Sequence, residues 1–177
     1  MVFTDDTAGA LVSAVALANS GEDPDTLVTR DQLKEFFARH HYTGRFDGDA
    51  AELDAVRALR PSLRTLLTSD RDTAVELVNT ILADACALPR LVRHGETDWH
   101  LHAVSDDSPL ARRIAVETAM AMIDVIRADE LSRLTICAAE CEGIVLDLSR
   151  NRSRKFCSTA CGNRTAVAAY RTRQAGT

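Results

Sequence analysis

Cys137-Ala138-Ala139-Glu140-Cys141, a spacer of fifteen residues, then Cys157-Ser158-Thr159-Ala160-Cys161 is the stretch that decides how this chain is built. Four of its five cysteines fall in two close pairs within 25 residues, a density that chance burial of thiols does not produce. Zinc takes four soft ligands converging on a tetrahedron. A pair on a tight turn, a span long enough for a hairpin, and a second pair is the sequence form of a four-thiolate site. The pairs are C-x3-C rather than C-x2-C. Cys137, Cys141, Cys157 and Cys161 are therefore the expected ligands of one structural zinc ion. Four thiolates leave no coordination position open for water or substrate.

The residues around the cysteines supply a scaffold for that ion. Ile144, Leu146 and Leu148 share one side of a strand between Gly143 and Ser149. Residues 150–153 can turn, and Arg154-Lys155-Phe156 reads as the returning strand. Ser158 is placed to cap a helix from Thr159 to Arg173, with Cys161 in its first turn. A knuckle, a hairpin and a helix make a treble-clef-like zinc finger spanning 131–177. So small a segment buries too little apolar surface to fold alone. Zinc binding, of order 10–16 kcal/mol in small zinc peptides, supplies the missing stability.

Charge separates this segment from the rest. From Leu131 onward eight basic residues face three acidic ones, a net +5. Set against the whole-chain −5, that leaves −10 for residues 1–130. Arg150, Arg152, Arg154, Lys155, Arg164, Arg171 and Arg173 are the candidate nucleic-acid contacts, because guanidinium groups pair with phosphates and fork onto base edges. DNA is the first candidate partner and RNA the second. The competing reading is an interaction module whose basic finger docks an acidic protein surface, the −10 body included.

The body reads as helices. Thr7 to Asn19 is a small-residue apolar helix, and Thr29-Arg30-Asp31-Gln32 has capping-box spacing ahead of Leu33, Phe36 and Phe37. Asp49 caps a helix carrying Leu53, Val56, Leu59, Leu63, Leu66 and Leu67, which Pro61 should kink or split. Asp72 or Thr73 opens another, with Val75, Val78 and Leu82 inward and Cys86 continuing the i+4 steps as a core cysteine. Arg90 to Val104 alternates with period two and predicts a hairpin turning near Gly95. Ser108-Pro109 then starts a helix through Ile114, Met120, Met122, Ile123 and Ile126. The fold class is mainly α with short β-hairpins: a helical domain over 1–130 with a hairpin at about 90–104, followed by the finger.

Two family resemblances rest on these residues. Asp147-Leu148-Ser149-Arg150-Asn151-Arg152-Ser153-Arg154-Lys155-Phe156-Cys157-Ser158, followed by Cys161-Gly162-Asn163-Arg164, resembles the CGNR zinc finger over about Arg133 to Arg173. Phe156 stands where tryptophan is common in that family. By order, length and helical character the body is similar to the ABATE domain that precedes such fingers in bacterial proteins. The resemblance implies a zinc-binding, DNA-binding candidate regulator of transcription in the stress response, and not an enzyme. Around the metal, Asn163 is expected to be structural, bonding a thiolate or backbone, with Arg164 either structural or a contact residue.

Another string points elsewhere. Leu91-Val92-Arg93-His94-Gly95-Glu96-Thr97 resembles the phosphate-binding motif of the histidine phosphatases, where a histidine attacks phosphorus beside a steadying arginine. That family sets the motif at the end of the first strand of an α/β domain and needs a second histidine well downstream. Here about 90 mostly helical residues precede it, and no histidine follows His102. A histidine-phosphatase-like enzyme acting through Arg93-His94-Gly95-Glu96 is the minor alternative. His100 and His102 share a strand face where a metal or ligand could bind, with exposed strand histidines as the simpler reading. The longest nearly unbroken apolar run, Gly9 to Ala18, is too short for a bilayer span, and no basic segment leads an apolar one at the N-terminus. A cytoplasmic address with reduced thiols is the expectation.

Overall fold

Helix signals written into the body produce most of its elements. The computed structural model describes residues 3–94, 97–139 and 141–175. In chain order these are α1 (Asp5–Asn19), α2 (Arg30–Arg39), α3 (Ala50–Ala58), α4 (Arg60–Thr68), α5 (Arg71–Asp84), β1 (Arg90–His94), β2 (Thr97–His102), α6 (Leu110–Arg127), β3 (Leu134–Ile136), β4 (Ile144–Leu146) and α7 (Thr159–Ala175). The capping box forms as written: Thr29 Oγ1 accepts the Gln32 N–H at 3.2 Å, and Gln32 Oε1 accepts the Thr29 N–H at 2.9 Å. Asp49 likewise caps α3 by accepting the Glu52 N–H. Pro61 splits rather than kinks, so α3 ends at Ala58 and α4 restarts with the proline in its first turn.

The core lies between α1 and α6, with α4 and α5 closing its sides. Leu11, Leu17, Leu63, Leu66, Leu67, Leu110, Ile114 and Met122 are fully buried there. Ala14 and Ala18, buried on the same face of α1, let its axis approach its neighbours closely.

Some expectations give way. Asp70, not Asp72 or Thr73, caps α5, accepting the Thr73 N–H at 3.0 Å. That shifts the inward face to Ala74 and Val78 and leaves Val75 exposed. Cys86 is not a core residue. Helix α5 stops at Asp84, and Cys86 follows in the left-handed region (φ 44°), which turns its side chain to solvent. Pro109 rather than Ser108 occupies the N-cap position of α6, without a side-chain cap.

The first hairpin forms where expected, with Leu91 opposite Leu101 and Val92 opposite His100; the turn at Gly95 lies outside the described residues. Its polarity is the reverse of the simple reading. Trp99 and Leu101 are 63 % and 44 % exposed, whereas His100 is half-buried and the His102 side chain is 16 % exposed. The histidine face, not the aromatic one, turns towards the protein.

The second hairpin is paired differently from the sequence expectation. Strand β4 does not return on residues 154–156; it pairs antiparallel with β3, which precedes the first cysteine, Ile136 opposite Ile144 and Leu134 opposite Leu146. Leu134, Ile144 and Leu146 belong to the main core, against α1 and α4. The basic C-terminal segment is thus rooted in the acidic body through its first two strands.

Candidate metal centre

The knuckle between β3 and β4 presents the first cysteine pair. Cys137 follows β3 directly, and its N–H donates to the Gly143 carbonyl at 2.8 Å, closing the loop. The Cys141 N–H donates to the Ala139 carbonyl at 2.6 Å, a tight turn that brings its sulfur back over Cys137. The second pair arrives on the chain entering α7. The Ala138 N–H donates to the Lys155 carbonyl at 2.8 Å, and the Cys157 N–H points at Cys137 Sγ at 3.3 Å. Ser158 Oγ accepts the Cys161 N–H at 3.2 Å, which caps α7 with Cys161 in its first turn.

The result is a cluster with ligand geometry. Cys141–Cys157, Cys141–Cys161 and Cys157–Cys161 sulfur distances are 3.6, 3.7 and 3.6 Å, and all four sulfur atoms lie within 4.8 Å of one another. Zinc–sulfur bonds of about 2.3 Å arranged tetrahedrally require sulfur–sulfur edges of about 3.8 Å. The thiols fit the ion. Their ionisation is graded: the Ser158 side chain, then Cys157, brings Cys161 down to about 6, while burial pushes Cys157 up to about 12. A divalent cation removes the opposition, because a coordinating thiol is deprotonated outright. Cys137, Cys141, Cys157 and Cys161 hold one structural zinc.

Groups beyond the ligands fix the cluster, and of the two residues after Gly162 it is Arg164, left open by the sequence, that takes the structural part expected of Asn163. Arg164 Nη2 donates to Cys161 Sγ at 3.0 Å, a charge-assisted contact on a ligand sulfur. Asn163 is exposed and makes no hydrogen bond among the described residues, so it is not the structural member. Gly162 lies against the Phe156 ring, 3.3 Å from where a Cβ would stand. Gly143 is tighter still. A Cβ there would sit 2.7 Å from Cys157 Sγ, so only glycine lets the knuckle backbone pass the metal ligands.

Sequence reasoning missed the anchor of the finger. Arg133 is buried; its Nη1 donates to the Asp147 and Ser149 carbonyls, each at 2.9 Å, and its Nε donates to Glu130 at 2.8 Å. The buried Asp147 carboxylate accepts the Ser149 N–H at 2.8 Å and the Arg154 N–H at 2.6 Å. The Ser149 and Arg154 contacts hold it below the usual carboxylate range. An aspartate two residues before a serine is a local signal for such a turn. No comparable signal marks Arg133.

The candidate contact residues divide. Arg150 and Lys155 are exposed. Arg152 is engaged by Glu130 at 2.6 Å and by Ser132 at 2.9 Å. Arg154 donates to the carbonyls of Phe156 and Cys157, both at 3.3 Å, so it braces the loop instead of reaching outward. Arg171 and Arg173 lie on the exposed part of α7.

A family model for the CGNR zinc finger matches residues 133–174, and one described as "Putative stress-induced transcription regulator", ABATE, matches 11–129. The chain belongs to the ABATE family. The ABATE body and the CGNR finger stand in the expected order, and the CGNR match encloses all four cysteines. No curated protein matches the chain. One matched family is described as a zinc finger and the other as a transcription regulator. Of the phosphatase-like string, Arg93 belongs to a two-stranded antiparallel hairpin, and Gly95 and Glu96 lie outside the described residues. No helix among the described residues is long and apolar enough to cross a membrane.

Proposed function

We propose that the CGNR finger binds DNA through α7 and that the ABATE body governs this binding, which makes the protein a regulator of transcription in the bacterial cytoplasm and not an enzyme. One observation carries the reading. Beyond its first turn, α7 is exposed on every side from Asn163 to Gln174, and it carries Arg164, Arg171 and Arg173 with no acidic residue. An uncovered basic helix about 25 Å long has the dimensions that a major groove admits. Asn163, released from the metal centre, stands near the base of the same helix, and an asparagine carboxamide can pair with an adenine edge. The exposed Arg150 and Lys155 would supply phosphate contacts that position the helix.

A docking surface for an acidic protein is the second reading, favoured by Val167 and Tyr170, which are 48 % and 57 % exposed on α7. The salt dependence of binding separates the two. Zinc-loaded protein is measured against random DNA and RNA pools across a salt series, with Arg171→Ala and Asn163→Ala alongside. Arg164→Ala is a poor probe because it disturbs the metal centre. The DNA reading expects selective enrichment, a uniform loss and a shallower salt slope in Arg171→Ala, and relaxed sequence preference in Asn163→Ala. Absence of binding at low salt with zinc in place assigns the finger to protein docking, and preference for the RNA pool moves the reading to RNA.

A further inference from the structure

We propose that the inward face of the β1–β2 hairpin is a second metal site, in which His100 and His102 bind one exchangeable divalent transition-metal ion through Nε2 while Asp106 orients His102. The two Nε2 atoms face each other at 3.1 Å. Bonds of about 2.0–2.1 Å from both nitrogens to one ion subtend an angle between the octahedral and tetrahedral values. The rings are crossed at 67° with centroids 4.8 Å apart, so both nitrogens converge without the rings stacking. Period-two spacing on β2 places them together.

The carboxylate comes from the loop after the strand, four residues beyond His102. Asp106 Oδ1 lies 2.8 Å from His102 Nδ1. An ionised carboxylate only accepts, so the proton sits on Nδ1 and the His102 Nε2 lone pair points at His100. That is the carboxylate–histidine–metal arrangement, which fixes ring, tautomer and basicity together.

Asp106 is itself held by the loop at Gly44 and Arg45, which α6 fixes in turn. The Arg45 N–H donates to its carbonyl at 2.8 Å. Gly44 (φ 78°) presses so close that a Cβ there would lie 2.6 Å from the same oxygen. Arg113, buried on α6, binds the Thr43 and Arg45 carbonyls and reaches Ser108 O at 3.1 Å, locking that loop to the start of α6. Those carbonyls occupy its guanidinium beside the site.

Imidazole nitrogens select zinc, nickel, copper or cobalt over calcium and magnesium. Among the described residues the site offers two ring nitrogens, fewer protein ligands than the closed thiolate site. The ion is therefore exchangeable, and it gives the body a ligand of its own.

Nickel is the probe, added to full-length protein whose finger is already zinc-loaded. Equilibrium dialysis is expected to show one equivalent of nickel bound while zinc content stays at one. His100→Ala and His102→Ala should each abolish the nickel equivalent, and Asp106→Asn, which keeps both rings, should weaken it about 10- to 100-fold. Circular dichroism checks the fold of each variant. Should the histidine variants misfold, the unmutated chain decides: nickel should broaden the His100 and His102 ring proton signals selectively. No nickel equivalent up to millimolar metal, an equivalent that survives His102→Ala in a folded protein, or broadening elsewhere would overturn the assignment.

Discussion

The carboxamide of Asn19, at the end of α1, holds both backbone groups of Ile144: its Nδ2 donates to the carbonyl at 2.8 Å, and its Oδ1 accepts the N–H at 2.7 Å. A side chain 125 residues away in sequence thereby takes the place of a strand neighbour along the free edge of β4. This is the most direct link between body and finger. Arg64, which donates to the Glu142 carbonyl at 2.6 Å, adds a second one at the mouth of the knuckle.

Asn19→Ala leaves a buried N–H and a buried carbonyl of Ile144 without partners. The expected cost is about 2–4 kcal/mol, read as a lower midpoint in denaturant at unchanged zinc content. Asn19→Asp keeps the acceptor and loses the donor, so it should fall between. A midpoint for Asn19→Ala equal to that of the unmutated chain would show that the clamp contributes nothing.

Gly143→Ala drives a methyl group into Cys157 Sγ. Overpacking of this kind costs about 1–3 kcal/mol. Competition against a zinc-chelating dye should register that as a roughly tenfold weaker metal site. Gly9→Ala is the control: nothing lies within 4 Å of its Cβ position on the exposed side of α1, and it should stabilise by about 0.5–1 kcal/mol.

Zinc removal should not unfold the whole C-terminal segment. The amides of β3 and β4 should remain protected from hydrogen exchange, because Leu134, Ile144 and Leu146 sit in the main core. The amides of α7 should exchange freely, since its one buried residue is the ligand Cys161. Uniform protection loss over 131–175 after chelation would contradict this division. Cys157→Ser should reproduce the pattern.

Asp25 gives the clearest dependence on acidity. Arg60 grips it with two bonds of 2.9 Å, Arg57 adds one of 3.3 Å, and the Leu27 N–H donates at 2.9 Å. The Arg60 side-chain bonds lead in holding its carboxyl down at about 2. A folded-state value below the unfolded one of about 4 means the stabilisation is complete above that pH and lost as pH falls towards 2. Asp25→Asn should be less stable by about 2 kcal/mol near neutrality. The gap to the unmutated chain should close between about pH 4 and pH 2. A constant gap across that window would mean that loss of the carboxylate charge is not what weakens the variant.

Features that act over a few residues were legible before the structure. The Thr29–Gln32 reciprocal cap, the Pro61 break and the two cysteine pairs each depend on neighbours within one or two turns, and each forms. The pairing of β4 was not legible. Its partner Leu134-Thr135-Ile136 is a three-residue strand with no alternation to separate it from the end of a helix, and what marks it is its pairing with β4 and the burial of Leu134 beside α4. Cys86 misled because helical spacing continues beyond the point where the backbone leaves the helix. The histidine face of β2 misled for the opposite reason. Alternation shows that a strand has two faces, but which one turns inward was decided by Asp106, contributed by the following loop.

Asn163 and Arg164 show the limit at the metal centre. Either residue type can bond a thiolate, so composition alone does not assign the role; the direction of each side chain from the first turns of α7 does. Arg164 reaches back to Cys161 and Asn163 does not.

Helix α7 leaves the protein from a base only one turn deep, where Ser158, Cys161 and Arg164 meet the zinc ligands. Its 17 residues, at about 1.5 Å each, make a rigid arm about 25 Å long. Tilting such an arm by about ten degrees at its base carries its tip about 4 Å, close to the rise between neighbouring base pairs. The metal centre is therefore a fulcrum. A small rearrangement of the knuckle, which Asn19 ties to α1 through Ile144, would carry Arg171 and Arg173 with it without any change in the helix itself.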